Sequence, residues 1–321
     1  MRTLLALFLL PLAGAAADPP RLPELSTADA WKALPRDNPP LPVWARTLAA
    51  SIPKGTAKLL ELDDLHRARS PIGNALRAKL RYVASDAVGS PYGKAYAAND
   101  AKYAGVSAEE LEAWAKFDGE PTTPEQKLAA LARKMALAAD TVTDAEFADL
   151  LEHFGPEKMV GVVHTLAYAG FQDRVLLALG CQVEKDGPLP PLNRTFDPKW
   201  YENVTTPKRE PTAKKELPKK SEYVFEWTDL TGKHLPTQLD LQKQRSPRVP
   251  IPSDEKLAWM PAEDRARTKR IVWSTIGQGY QPKLTTAWFD SMTTASAEGK
   301  VDPVFKNTVF WIVTRTNRCF Y

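Results

Sequence analysis

Between residues 55 and 180 apolar positions recur every three or four residues, and no stretch alternates apolar with polar as a half-buried strand does. The segment is rich in Ala, Leu, Glu and Lys and poor in β-branched residues, a composition that suits helix interiors. Start and stop signals divide it. Ser107 and Glu110 have capping-box spacing ahead of Leu111 and Trp114. Thr123 followed by Pro124 predicts an N-cap with proline at the first helical position. The helix opened there carries Leu128, Leu131, Met135 and Leu137, mostly on one face. Thr143 with Glu146 predicts a second box, before Phe147, Leu150 and Leu151. Pro156 opens a long apolar helix through Val160, Val163, Leu166, Val175 and Leu179, and Gly180 stops it. The fold class expected is all-α, a helical bundle.

The rest of the chain is organised differently. Residues 18–49 form a proline-broken extension with a short helical stretch near Trp31. Twelve of the 28 prolines fall between 187 and 261. From Thr205 to Lys220 prolines alternate with lysine pairs (Lys214-Lys215, Lys219-Lys220) and glutamates, which predicts an extended linker. The interspersed acidic residues argue against a nucleic-acid tail. Residues 222–228 read as a short strand or as a stretch packed across a domain. Helical character resumes at Asp264 and runs to Tyr321. The N-terminus has Arg2, an apolar run from Leu4 to Leu10, and small residues to Ala17. That is the layout of a secretory leader, and the run is too short to span a bilayer. The expected divisions are a signal peptide at 1–17, an extension at 18–49, a helical domain at 50–186, a linker at 187–263 and a second helical unit from 264 to 321. The expected location is periplasmic or secreted, with no membrane span and no lipid anchor.

Composition removes several function classes. The 321 residues are 43% hydrophobic and 26% charged, with a net charge of +4, so nucleic acid is not an expected partner. Two cysteines, Cys181 and Cys319, exclude a disulfide-rich scaffold and a cysteine-built zinc site. His66, His153, His164 and His234 never fall at metal-ligand spacing. No metal and no cofactor is expected. His164 sits among Val162, Val163, Leu166 and Tyr168 and reads as a core histidine. Asp173 and Arg174 interrupt the same apolar helix and read as an internal ion pair. Cys181, just past the Gly180 stop, reads as a buried lone thiol.

Sliding the chain against itself gives an ungapped match at one constant offset, which sets Pro53-Lys54 on Pro282-Lys283. At that offset Leu59 falls on Trp288, Leu76 on Phe305 and Leu80 on Val309. Val83 falls on Ile312, Ala84 on Val313, and Ser90-Pro91-Tyr92 on Cys319-Phe320-Tyr321. Apolar character agrees better than identity, as packing constraints on two copies of one helical unit require. The repeat places Cys319 at or just after a helix end, equivalent to Ser90. The second unit would then be only the opening of a copy, cut short at Tyr321.

The stretch from Leu76 to Leu111 resembles the carboxymuconolactone decarboxylase and AhpD-like alkylhydroperoxidase family. It runs from Leu-Arg-Ala-Lys-Leu-Arg-Tyr-Val-Ala-Ser-Asp-Ala-Val-Gly-Ser-Pro-Tyr-Gly to Ala-Lys-Tyr-Ala-Gly-Val-Ser-Ala-Glu-Glu-Leu, which begins at Ala101. The ending Trp311-Ile-Val-Thr-Arg-Thr-Asn-Arg-Cys319-Phe-Tyr321 is similar to the approach to that family's redox motif. The resemblance covers about 50 to 180 and 266 to 321. It implies an all-α bundle that usually oligomerises, here as an exported two-copy form. The family's peroxidase members carry Cys-x-x-Cys, a histidine four residues on, a glycine eight beyond that, and a glutamate about twelve before the first cysteine. In the first copy only the glycine matches, as Gly105. The two cysteine positions are Ser90 and Gly93, the histidine position is Ala97 and the glutamate position is Ala78. In the second copy the first cysteine is Cys319, and Asn307 stands at the glutamate position.

A dithiol peroxidase needs a thiolate that attacks the peroxide oxygen and becomes a sulfenic acid, then a second thiol that condenses with it. Ser90 has no redox cycle, so the first copy is expected to be a structural half or to bind a ligand in its vestigial pocket. The candidate catalytic residue is Cys319. The functional expectation is a thiol-dependent, peroxiredoxin-type oxidoreductase, with a peroxide or lactone-like substrate, an external thiol reductant and self-association. The alternative is a non-catalytic scaffold or ligand-binding protein of the same fold. Lactone decarboxylation finds no positioned acid-base set, and c-type haem attachment at Cys319 would need a Cys-His pair after Tyr321.

Overall fold

The computed structural model describes residues 21–35, 37–203 and 246–316, together with Pro236, Thr237 and Asp240. Among them it contains thirteen α-helices and no strand. These are α1 (Thr27–Ala33), α2 (Val43–Ala49), α3 (Pro53–Arg67), α4 (Asn74–Ala87), α5 (Pro91–Tyr103), α6 (Ala108–Ala115) and α7 (Pro124–Leu137). After them come α8 (Asp144–Leu179), α9 (Pro198–Asn203), α10 (Ala262–Thr268), α11 (Val272–Tyr280), α12 (Pro282–Gly299) and α13 (Pro303–Thr316). The all-α expectation holds. The leader, the 222–228 stretch, His234, Cys319 and the lysine-paired segment lie outside the described residues. No helix among the described residues is long and apolar enough to cross a membrane.

Local signals formed the boundaries where they were complete. Thr123 and Gln126 make both halves of a capping box, as do Thr143 and Glu146. At α6 only half forms: Ser107 accepts the Glu110 N–H, while the Glu110 carboxylate pairs with Lys79 of α4 instead of turning back. Gly180 ends α8 in the left-handed region at φ 67°. Within α8, Gly155 sits at φ 74° directly before Pro156, so the long helix is two helices joined at a kink. Leu137 departs from the apolar face assigned to α7 and is exposed at its end.

α4 lies at the centre, packed between α5, α7 and α8. Leu80 and Val83 of α4 meet Leu128 and Leu131 of α7 and Met159, Val162 and Leu166 of α8 in one core. Each such side chain contributes roughly 1.5–3 kcal/mol on burial. A second core gathers Trp31, Trp44, Leu59, Leu60, Tyr92, Leu176 and Cys181. Part of the stretch read as linker covers it: Phe196 is buried there, with Leu189, Leu192 and Trp200 packed alongside. Further on, Val249, Leu257 and Met260 are also buried.

The later helices join the bundle through α12, which packs along α3. The two backbones come so close that a side chain on Gly55 would meet Ala295 at 2.9 Å. α3 has no N-cap side chain of its own. Glu298 of α12 supplies one, accepting the N–H groups of Lys54 at 3.2 Å and Gly55 at 2.8 Å. Three helix starts recur at the offset found in the sequence: Val43 with Val272, Pro53 with Pro282, and Asn74 with Pro303. The residues before α3 and α12 share an unusual backbone, Ile52 at φ −137°, ψ 64° and Gln281 at φ −137°, ψ 61°.

Candidate functional site: a buried polar centre

Four helices each turn a set of polar residues inward. α3 brings Asp63, His66 and Arg67; α4 brings Arg77, Arg81 and Ser85. α5 brings Tyr96 and Asp100, and α8 brings Thr165, Tyr168 and Asp173. Most of these residues stand three, four or eight positions apart on their own helix, which puts them near one face. All of these side chains are buried.

The charges are paired within the centre. Arg67 makes a fork to Asp100, Nε to Oδ2 at 2.9 Å and Nη2 to Oδ1 at 2.8 Å, and Nη1 reaches Asp63 at 3.3 Å. Arg77 Nη2 donates to Asp100 Oδ2 at 2.6 Å. Arg81 Nη2 donates to Asp173 Oδ1 at 2.7 Å, and Ser85 Oγ donates to Asp173 Oδ2 at 3.0 Å. Three guanidinium groups thus face three carboxylates, and the formal charges cancel. Asp173 is an internal ion-pair partner as the sequence suggested, but its partner is Arg81. Arg174 points elsewhere and donates to the Gly170 and Ala136 carbonyls. The two are successive residues of α8 and project about 100° apart, and here only Asp173 turns toward the centre.

Burial and pairing set the protonation states. Burial opposes the Asp100 charge, but the Arg67 hydrogen bond and the nearby Arg67 and Arg77 charges outweigh it and lower its pKa. Burial also opposes the Arg67 cation, and Asp100 and Asp63 more than restore it. His66, stacked on Tyr168 with ring centroids 4.4 Å apart, is pushed well below its ordinary range by burial and then by the nearby cationic groups. It is a neutral imidazole at neutral pH. The Tyr168 hydroxyl donates to Asp63 Oδ1 at 2.9 Å, and burial with that carboxylate raises its pKa well above the usual value.

Five buried polar atoms of the centre have no hydrogen-bond partner among the described residues: Arg77 Nε, Arg81 Nη1, His66 Nδ1, Tyr96 Oη and Thr165 Oγ1. Their residues line a cavity of about 20 Å³. That is room for one water-sized molecule, with enough polar neighbours to hold it. The centre can therefore bind a very small polar guest and lock four helices together. It contains no thiol.

The positions singled out in the sequence can be placed around it. Ser90 is the N-cap of α5 and accepts the Gly93 N–H at 3.2 Å. Gly93 faces the Arg81–Asp173 pair, and a Cβ there would lie 2.1 Å from Asp173 Oδ1, 2.6 Å from Ser85 Oγ and 2.7 Å from Arg81 Nη2. Ala78 and Ala97 are fully buried in a small apolar cluster of α4, α5 and α6. Cys181 is buried in the second core, and burial, with Glu24 and Glu184 nearby, pushes its thiol up to about 11. His164 is partly buried, and its Nε2 lies 3.1 Å from Thr285 Oγ1. Cys319, the candidate catalytic residue, lies outside the described residues. No group of residues able to hold a metal ion occurs among those described.

The arginines and aspartates of the centre were not singled out from sequence, apart from Asp173. A usable signal exists: Arg77, Arg81 and Ser85 lie at four-residue steps on the same helix as Leu76, Leu80 and Val83, so α4 has two buried faces. No protein-family model, curated protein or solved structure matches this chain.

Proposed function

We propose that this chain is an exported two-copy helical protein resembling the carboxymuconolactone decarboxylase and AhpD-like family. In this reading residues 50–186 form a non-catalytic copy closed around a charge lock, and thiol-dependent peroxidase-like chemistry belongs to Cys319 of the second copy. The observation that carries it is the environment of Gly93. The position matched to the second cysteine has no space for any side chain, because Arg81, Asp173 and Ser85 occupy it. The first matched position is a hydroxyl used as a helix cap. The described thiol, Cys181, is held protonated at neutral pH.

The spacing of the helices supports the two-copy part. The starts of α2, α3 and α4 and those of α11, α12 and α13 pair at the same constant offset. Thr56 Oγ1 donates to the Ile52 carbonyl at 2.8 Å, and Thr285 Oγ1 donates to the Gln281 carbonyl at 2.8 Å. By that correspondence Cys319 is the sequence counterpart of Ser90.

The test is peroxide consumption with an external dithiol, run on the chain and on its Cys319→Ser and Cys181→Ser variants. Near-zero turnover is expected, with peroxide-sensitive labelling of Cys319 alone. Sustained turnover by Cys319→Ser would overturn the site assignment. The second reading, a binding module, is favoured by the donor-lined cavity, and a single long-lived internal water detected by magnetic relaxation dispersion would support it.

A further inference from the structure

A second cavity lies on the other side of α8, where α7, α8, α11 and α12 meet under the strap at 248–249. Its volume is about 450 Å³ and its walls are mainly apolar, including Met135, Phe147, Val163, Trp273 and Trp288. That size and lining suit a small organic molecule. We propose that this cavity binds a neutral aromatic alcohol, a phenol-like ring whose hydroxyl donates to His164.

The polar groups of the cavity select the chemistry. His164 is the one imidazole among the lining residues. Thr285 Oγ1 lies 2.8 Å from the Gln281 carbonyl and 3.1 Å from His164 Nε2. With the hydroxyl hydrogen assigned to the shorter contact, Nε2 carries the ring proton and donates to Thr285. Nδ1 is then an acceptor. Burial lowers the His164 pKa to about 4, so the ring stays neutral and does not attract an anion. The only formal charge among the described lining residues is Arg248, and it is already committed. Its Nε donates to Asp144 Oδ1 at 2.6 Å and its Nη2 to the Val142 carbonyl at 2.7 Å. A carboxylate guest would therefore meet no free cation. An aromatic guest meets the rings of Phe147, Trp273 and Trp288. This site is separate from the polar centre, and the inference does not depend on the thiol reading.

The test uses the full chain and three probes, 2-naphthol, 2-methoxynaphthalene and 2-naphthoate, with binding followed by calorimetry and by tryptophan fluorescence. 2-Naphthol should bind about fivefold tighter than its methyl ether, the worth of one hydrogen bond, and 2-naphthoate should bind weakest. His164→Phe should erase the preference for the naphthol. Ala167 lies at the exposed edge of the cavity, so Ala167→Phe should leave the fold intact and weaken both neutral probes. Equal affinities for naphthol and its ether in the unaltered chain, tighter binding of naphthoate, or unchanged affinities in Ala167→Phe would each overturn the proposal.

Discussion

Gly93→Ala separates two physical effects by sign. Gly93 lies in the first turn of α5. On helix propensity alone, replacing a helical glycine by alanine stabilises by about 0.8–1 kcal/mol. The surroundings reverse that gain. The new methyl would stand 2.1 Å from Asp173 Oδ1, 2.6 Å from Ser85 Oγ and 2.7 Å from Arg81 Nη2. All three atoms belong to one ion pair and its supporting hydroxyl, with side chains 6% exposed for Arg81 and 1% for Asp173. They cannot retreat into solvent. Overpacking a filled interior costs about 1–3 kcal/mol, and fully breaking a buried ion pair costs about 3–5 kcal/mol. A partial opening of the pair therefore sets a net loss of about 2–4 kcal/mol. For a domain of this size that lowers Tm by roughly 4–15 °C. Thermal and urea unfolding followed by far-UV circular dichroism would measure it. Gly170→Ala is the control, because its methyl would meet only the end of the flexible Arg174 side chain at 2.9 Å. It should be neutral or mildly stabilising. A Gly93→Ala variant as stable as the parent, or more stable, would refute the crowded ion pair and with it the argument that no cysteine fits at this position.

Glu298→Ala removes the carboxylate that caps α3 from α12 and should cost about 1–2 kcal/mol, since the Lys54 and Gly55 N–H groups lose their acceptor; unchanged urea stability would show that α12 does not hold α3. Cys181 should resist alkylation in the native protein at mildly alkaline pH, because burial holds its thiol up at about 11, and should react rapidly in denaturant; fast native labelling would contradict the burial. His164 has a folded pKa of about 4 against an ordinary 6.5. The unfolded chain therefore binds more protons between those values, and stability is complete above pH 6.5 and falls as pH drops toward 4, by roughly 3 kcal/mol from this group. His164→Gln should flatten that slope in pH-dependent unfolding, and an identical slope would refute it.

What could be read along the chain was what depends on neighbours a few residues away. Thr123-Pro124, Thr143 with Glu146, and Gly180 act through hydrogen bonds and backbone preferences within one turn, and each boundary formed where those residues place it. Most of the polar centre depends on partners far apart in sequence, such as Arg77 with Asp100, 23 residues away, and Tyr168 with Asp63, 105 away. A four-residue step of arginines on α4 looks, along the chain, the same as a solvated face. Only the packing of α5 and α8 over it makes it interior. Asp173 shows the limit clearly: adjacency suggested Arg174, while the fold delivered Arg81 from 92 residues away.

That packing also constrains any chemistry assigned to the start of α5. A dithiol site needs two thiols on one helix start and an open path for peroxide. Here the helix start is spent on a serine cap, and the third residue after it must be glycine to admit the Arg81–Asp173 pair. Placing cysteines at Ser90 and Gly93 would therefore cost the pair before any thiol could be activated. The charge lock and a dithiol at this position exclude each other.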